Sequence, residues 1–190
     1  MRASVAENAS TPAETLSKLA SDPSEDVKCS VAENASTPAE TLSKLAGDDN
    51  EDVRWSVARN ASTPAETLSK LADLQQSARR DIYEIFGHAR AEVPGVLAAL
   101  RAGKIDGSTY SGACACLVGT IANERHAGID CLEGITPNST RPAEKWFMAI
   151  RPGMTPDNNH VAKIVEGWIT DWMVANPAPA IVETDAGTSA

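Results

Sequence analysis

Basic side chains are scarce in this 190-residue sequence, which holds 17 Lys and Arg against 26 Asp and Glu and carries a net charge of −9 at neutral pH. Residues 1–74 contain 7 basic and 13 acidic side chains, a balance of −6. Proteins that bind nucleic acids or anionic membranes neutralise phosphate groups with Lys and Arg. The charge balance therefore predicts no nucleic-acid partner and no membrane partner.

Cysteine and histidine are also few, with four and three residues respectively. Four cysteines are too sparse for a disulfide framework and are typical of a reducing compartment. A cytoplasmic location is therefore expected. The small number of ligand-type side chains also leads us to expect no cofactor.

Two kinds of thiol or metal chemistry remain as alternatives. Cys114, Cys116, His126 and Cys131 are the residue types of a zinc site, but their spacing is unusual, and buried thiols are the simpler interpretation. A catalytic pair of Cys114 or Cys116 with His126 or His160 has no local motif to support it. Four carboxylates are expected to be solvated loop charges rather than a catalytic pair: Asp106, Glu124, Asp130 and Glu133.

Long apolar runs are absent from the sequence, and no stretch approaches the length needed to cross a bilayer. The first residues, Met1 to Val5, lead directly into a repeat without an apolar segment. We therefore expect neither a transmembrane helix nor a signal peptide.

The sequence repeats itself almost verbatim over residues 1–74. The segment SVAENASTPAETLSKLA occurs at 4–20 and 30–46, and recurs at 56–72 with Arg59 in place of a glutamate. The period is 26 residues, as the series Val5, Val31 and Val57 shows. Internal repetition at this period predicts a stacked repeat architecture.

Each unit contains two helix-start signals. The first is Thr11-Pro12-Ala13-Glu14, in which the threonine caps the helix, proline fits its first position and glutamate completes a capping box. The second is Asp22-Pro23-Ser24-Glu25, which has the same logic. Asn8, and its equivalents Asn34 and Asn60, is predicted to end the preceding helix in a left-handed conformation.

One unit offers too little apolar surface to offset its conformational entropy, so the units are expected to stack. The pattern S-V-A-x-N-x-x-T-P-x-x-x-L-x-x-L-A resembles the leucine-rich repeat variant (LRV) family, from which it departs by a slightly longer unit and by Ala9-Ser10. The resemblance implies a short right-handed solenoid of alternating α- and 3₁₀-helices over residues 1–74. The fold class predicted for the chain is mainly α, with this solenoid followed by a small, mostly helical C-terminal domain.

The positions at which the units differ are candidates for function. Trp55 is two residues from both Val53 and Val57, so it is predicted to point away from their inward face. Beside Arg54 and Arg59, an outward Trp55 would anchor a protein partner. The alternative is that Trp55 packs on the second domain. Because the first unit begins without a polar cap, self-association into a homo-oligomer is also expected.

The remaining chain divides into a junction, a domain and a tail. Residues 75–91 are interpreted as a junction with a capping helix at 78–87, and residues 92–175 as a non-repetitive, mostly helical domain. Within it, helices are predicted from Pro94, over 113–125, over 142–150 and from Pro156, with turns and a short strand or hairpin at 104–112. A strand remains an alternative for the first half of 113–125, because periodicity alone does not distinguish the two. Residues 176–190 are predicted to be a disordered tail.

The segments YSGACACLVGTIAN and RPAEKWFMAIRPGMTPDNNHVAKIVEGWI resemble a domain of uncharacterised bacteriophage and bacterial proteins. The resemblance covers about residues 90–173 and implies no established activity. It implies a phage or prophage product that acts on a host factor in the host cytosol.

A small-ligand pocket is the remaining candidate in this domain, because flexible turns, hydrogen-bonding groups and aromatic surface occur together. Arg141 stands at a helix start, where it and the helix amides would hold an anion. The candidate ligand-binding residues are Ser108, Tyr110, Ser111, Asn123, Arg141 and Trp146.

Taken together, these features favour a non-enzymatic binding protein whose solenoid offers a surface to a protein partner. One alternative is that residues 90–173 bind and sequester a small anionic or nucleotide-like ligand. A thiol- or zinc-dependent enzyme is the other alternative.

Overall fold

Each repeat unit folds as two short α-helices joined by a turn, in a computed structural model that describes residues 1–177. The first helices of the three units are α1 (Arg2–Glu7), α3 (Glu25–Glu33) and α5 (Glu51–Arg59). The second helices are α2 (Ala13–Leu19), α4 (Ala39–Leu45) and α6 (Ala65–Lys70). Both helices of every unit are α-helical, so the alternation with 3₁₀-helices expected from the LRV resemblance is wrong for this chain.

The repeated threonine does not cap the helix that comes after it. Pro12 occupies the N-cap position of α2, and the Thr11 hydroxyl instead donates a hydrogen bond to the Val5 carbonyl oxygen over 2.5 Å. Thr37 and Thr63 make the same bond to the carbonyls of Val31 and Val57. The last carbonyls of a helix have no partner within it. The predicted capping box is therefore not formed, and the threonine hydroxyl instead bonds to a carbonyl at the end of the preceding helix.

The repeated asparagine is extended rather than left-handed, with φ near −70° at Asn8 and Asn34. Its side chain links one unit to the previous one. The Asn34 amide nitrogen donates to the carbonyls of Ala6 and Asn8, over 2.6 and 3.0 Å. Asn60 repeats this pattern on Ala32 and Asn34, at the same two distances. We call these two sets of bonds the asparagine ladder; the left-handed prediction was wrong because it considered only one helix end.

Neighbouring units also pack through their first helices, with α1 against α3 and α3 against α5. The buried face of α3 includes Val27 and Val31, and the Leu42 and Leu45 side chains of α4 are buried beside it. Hydroxyl pairs connect the second helices of successive units, with 2.8 Å between Ser17 and Thr41. Apolar burial and a repeated polar bond therefore hold the same units together.

A long helix, α7 (Ala72–His88), comes directly after the repeats. It includes the helix predicted at 78–87 and most of the residues that were interpreted as a junction. Its buried face consists of Ala78, Ile82, Ile85 and Phe86. This face packs mainly against the C-terminal part of the chain, so α7 connects that part to the repeats.

The C-terminal part contains α8 (Val93–Arg101), α9 (Leu117–Arg125), α10 (Pro142–Phe147) and α11 (His160–Ala175). A 3₁₀-helix spans Ile129–Cys131. The strand or hairpin predicted at 104–112 is absent: over the described range, the only β-type pairing is an isolated bridge between Ile105 and Ala115. One hydrophobic core runs continuously from the repeats into this part.

Three helix boundaries differ clearly from those predicted. Helix α9 begins at Leu117 rather than at residue 113, α10 ends at Phe147 rather than at Ile150, and α11 begins at His160 rather than at Pro156. The Asn159 side chain caps α11 by accepting a bond from the Ala162 amide over 2.8 Å, and residues 155–158 form a separate turn. Between residues 1 and 177, no helix is both long and apolar enough to span a membrane. Most of the tail predicted at 176–190 lies outside the described residues.

Candidate functional site

A cleft of about 390 Å³ opens between the repeats and the C-terminal part. Its volume is within the range typical of small-molecule sites. On one side are residues of the second and third units: Glu33, Ala35, Ser56, Arg59, Asn60 and Ala61. On the other side are residues of the segment between α10 and α11 and of the start of α11: Met148, Ala149, Arg151, Met154, Asn158, Asn159, His160 and Val161.

Arg59 is the main cation on the repeat side of the cleft. One of its terminal nitrogens donates to the Lys145 carbonyl oxygen, and the other lies 3.2 Å from a carboxylate oxygen of Glu33. Its Nε atom is buried and has no hydrogen-bond partner within residues 1–177. Burial lowers the pKa of the Arg59 guanidinium, whereas the Glu33 charge raises it. Arg59 is therefore a desolvated cation with unused donor capacity.

Arg151 and His160 supply two further polar groups from the opposite side. The Arg151 side chain is exposed and makes no ion pair within 4 Å among the described residues. His160 is the first residue of α11, and its Nε2 atom is buried without a hydrogen-bond partner in the same range. The N-terminal end of a helix carries a partial positive charge. The two sides of the cleft thus bring donors and positive charge to one place.

The loop that carries Arg151 is held by a close backbone contact. Gly153 donates to the Gly103 carbonyl over 2.8 Å, and a Cβ atom on Gly103 would lie only 3.0 Å from the Gly153 Cα. Both glycines have positive φ, +65° and +86°. Only glycine adopts this conformation at little cost, and only glycine allows so close an approach. The loop is therefore fixed relative to α8, which preorganises the Arg151 backbone.

Trp55 lies behind the cleft instead of on the surface. It is 2% exposed, and its ring meets that of Trp146 on α10 at 6.0 Å and 74°, an edge-to-face arrangement. The prediction of an outward binding anchor is wrong, because α10 covers the side of α5 that a lone repeat would expose. Packing on the second domain, the alternative interpretation, describes its position. Arg54 is also engaged and donates to the carbonyls of Asp48 and Asp49.

Arg141 was predicted to hold an anion at the start of α10, and it does so within the chain. The anion is the Asp81 carboxylate of α7, which Arg141 binds through Nε at 3.0 Å and through a terminal nitrogen. The same carboxylate accepts a 3.0 Å bond from the Ala143 amide in the first turn of α10. The chemistry was anticipated, but the prediction of a ligand site here is wrong because Asp81 occupies it.

The other five candidate ligand residues do not line the cleft. Trp146 is fully buried, Ser108 and Ser111 are exposed, and Asn123 donates to the Gly112 carbonyl over 2.9 Å. Tyr110 lies near the buried Glu144 carboxyl. The structure therefore does not assemble the predicted pocket from these residues.

Glu144 on α10 is a buried carboxyl group that lies beside a thiol and a phenol. The side chain is 2% exposed, its Oε1 atom has no hydrogen-bond partner within residues 1–177, and the Cys116 thiol and Tyr110 hydroxyl are close to it. Burial raises the pKa of Glu144, and burial together with the Glu144 charge raises the pKa values of Cys116 and Tyr110 to about 12. Cys116 is therefore a poor nucleophile, because its thiolate is disfavoured.

Glu144→Gln is expected to stabilise the fold at neutral pH and to leave it unchanged in acid. The folded-state pKa of Glu144 is raised, so its contribution is most favourable below the unfolded-state value of about 4.3 and is lost as pH rises. Urea unfolding of both proteins from acid to neutral pH measures the difference. Glu40→Gln, at an exposed position, serves as the control. A difference that did not depend on pH would contradict the assignment.

The thiol, metal and carboxylate alternatives receive no support from geometry. Across the 177 described residues, no three His, Cys, Asp or Glu side chains form a group able to hold a metal ion. The structure therefore does not bring Cys114, Cys116, His126 and Cys131 together as the zinc alternative requires, since Cys116 is buried whereas Cys131 is exposed. Asp130, Glu124 and Glu133 are exposed, and Asp106 accepts bonds from the Ser108 amide and hydroxyl.

Sequence reasoning identified only part of the cleft. It singled out Arg59 as the one substitution in the repeated segment, and it considered His160 only as a catalytic base. It missed Met148, Arg151 and Met154, because nothing in the sequence pattern connects the turn at residues 151–154 to the third repeat. Comparison of the chain with protein-family models, with curated proteins and with solved structures found no match.

Proposed function

We propose that this chain is a non-enzymatic binding protein that holds a small anionic ligand in the cleft between its repeats and its C-terminal part. The observation that carries the proposal is the convergence of Arg59, Arg151 and His160 on one cavity, with unpartnered nitrogens on the first and last. A buried donor without a partner, such as the Arg59 Nε group, is costly, and an anion satisfies it. A ligand would thus complete bonds that the chain leaves open.

A protein partner that binds the three residues Arg54, Trp55 and Arg59 is less well supported, because α10 covers Trp55 and because Arg54 bonds within its own unit. A thiol enzyme is disfavoured by the burial of Cys116 and by its raised pKa. The net negative charge of the chain does not oppose an anion site, because binding in a cavity depends mainly on the charged groups that line it.

For the repeats, we propose a short right-handed solenoid over residues 1–74. The proposal is supported by the packing of α1 on α3 and of α3 on α5, and by the asparagine ladder, which repeats with one period. In such an array each unit contacts only its neighbours. The third unit would then serve as the wall on which the cleft is built.

Arg151→Gln is expected to weaken binding of inorganic phosphate about tenfold or more while leaving stability nearly unchanged. Loss of a charge-assisted hydrogen bond costs about 1.5–3 kcal/mol, which corresponds to such a change in affinity. Arg151 is exposed and unpaired among the described residues, so the variant should fold normally. Isothermal titration calorimetry of the full chain measures the affinity.

Arg80→Gln is the matched control, because Arg80 is exposed, carries the same charge and does not line the cleft. It should bind phosphate like the unmodified protein. Equal weakening by both substitutions would indicate a general charge effect and contradict the proposal. Absence of saturable phosphate binding by the unmodified protein would also contradict it.

A further inference from the structure

The lining of the cleft has a cationic part and an apolar part, and this combination indicates which kind of anion the cleft accepts. The Arg59 guanidinium and the Arg151 side chain supply the cationic part. Met148, Met154 and Val161 supply an apolar part in the same cavity. A bare inorganic anion would engage the first part and leave the second in contact with water.

Met148 is the unusual member of the apolar part. It is 43% exposed, one of very few large apolar side chains this accessible within residues 1–177. It immediately follows α10. The two large apolar side chains at the end of that helix, Trp146 and Phe147, are fully buried. Met148 therefore lines the cleft instead of packing in the core. Covering it with a ligand would remove apolar surface from water.

The thioether group narrows the chemistry of that ligand. Methionine sulfur makes favourable contacts with aromatic rings and adapts its shape to them, which small aliphatic side chains do not. The second methionine, Met154, is held in place because its sulfur accepts weak bonds from the Arg151 amide and the Asn159 side chain, both at 3.3 Å. Met154 is therefore fixed beside the cationic part, whereas the exposed Met148 side chain is accessible to a ring of a ligand.

We infer that the ligand of this cleft is a phosphate monoester that carries a planar aromatic ring, with the phosphate at Arg59 and Arg151 and the ring against Met148. This inference rests on the proposed function and specifies its ligand class. A cavity of about 390 Å³ is near the lower end for ligand sites, which fits a single ring system on one phosphate. Glu33, paired with Arg59 at the cleft, is the group with which the phosphate competes.

The test compares methyl phosphate with phenyl phosphate by calorimetry on the full chain. Phenyl phosphate should bind about fivefold more tightly, a gain within the range for a sulfur–aromatic contact. Met148→Ala should reduce this ratio to nearly one, because it weakens phenyl phosphate more than methyl phosphate. Val174→Ala, which shortens another exposed apolar side chain far along α11, should leave the ratio unchanged.

The outcomes separate the two proposals. If methyl phosphate and phenyl phosphate bind equally, and Arg151→Gln weakens both, the anion site stands and the aromatic inference is overturned. If neither ester nor inorganic phosphate binds, the proposed function itself fails. Adenosine monophosphate provides a third ligand for the comparison. A gain in affinity over methyl phosphate at least as large as that of phenyl phosphate supports a purine ring. A smaller gain in affinity supports a smaller ring in the same position.

Discussion

Asn60→Ala is expected to lower the free energy of unfolding by about 2–4 kcal/mol, because the buried Ala32 carbonyl loses its donor, at a cost of about 1–3 kcal/mol, and the Asn34 carbonyl keeps only its bond from the Thr37 amide. The Asn60 amide group is the only side chain that donates to the carbonyls of Ala32 and Asn34 in the described part of the chain. The residue is 6% exposed, so water does not readily replace it. Its Oδ1 atom also accepts a bond from the Ser62 amide, which the alanine variant loses as well.

Asn8→Ala is the matched control, because the same residue occupies the same position of the unit but is exposed. In the described residues its only side-chain bond is to the Ser10 amide, and that bond is solvent-exposed. A change within about 0.5 kcal/mol is expected. Urea unfolding followed by circular dichroism measures both variants. Equal destabilisation by the two substitutions would show that the asparagine acts within its own turn and not between units.

Trp146→Ala is expected to lower the free energy of unfolding by about 3–5 kcal/mol, the usual range for truncation of a buried aromatic side chain. Trp146 is fully buried and contacts two other rings, Trp55 at 6.0 Å and Trp168 at 5.2 Å. Because Trp55 belongs to the repeats and Trp168 to α11, the cavity would open where the two parts of the chain meet. Chemical denaturation monitored by circular dichroism avoids the change in tryptophan fluorescence.

Trp146→Phe provides the companion measurement. The Nε1 atom of Trp146 has no hydrogen-bond partner within residues 1–177, so phenylalanine removes no bond and only part of the ring volume. A loss below about 1.5 kcal/mol is expected, as for substitutions that largely conserve core volume. If phenylalanine cost as much as alanine, an unseen polar contact of the indole would be indicated and the packing explanation would be wrong.

The helices of the repeats were predictable because their start and stop residues recur in register with the apolar positions. The roles of Thr11 and Asn34 were not predicted correctly. Capping rules describe one helix in isolation, whereas the hydroxyl and the amide bond to other segments of the chain. Local sequence patterns cannot specify a bond whose partner lies in another unit.

The cleft was predictable only through Arg59. The substitution of arginine for glutamate in one of three otherwise identical segments indicated a special environment, but not which residues faced it. His160 and Arg151 reach the cleft through the turn after α10, and the fixed contact between Gly103 and Gly153 places that turn. This contact joins positions about fifty residues apart, and no periodic pattern spans them.

The asparagine ladder has a consequence for how the length of this array can change. Each unit offers its successor the same two backbone carbonyls and receives the same amide in return, so one whole copy of 26 residues can be gained or lost without creating a new type of junction. The third unit is the exception, because Trp55 and Arg59 are fitted to α10 and to the Lys145 carbonyl. The number of repeat units before the third unit can therefore change, whereas the third unit has to remain next to the C-terminal part because it forms one side of the cleft.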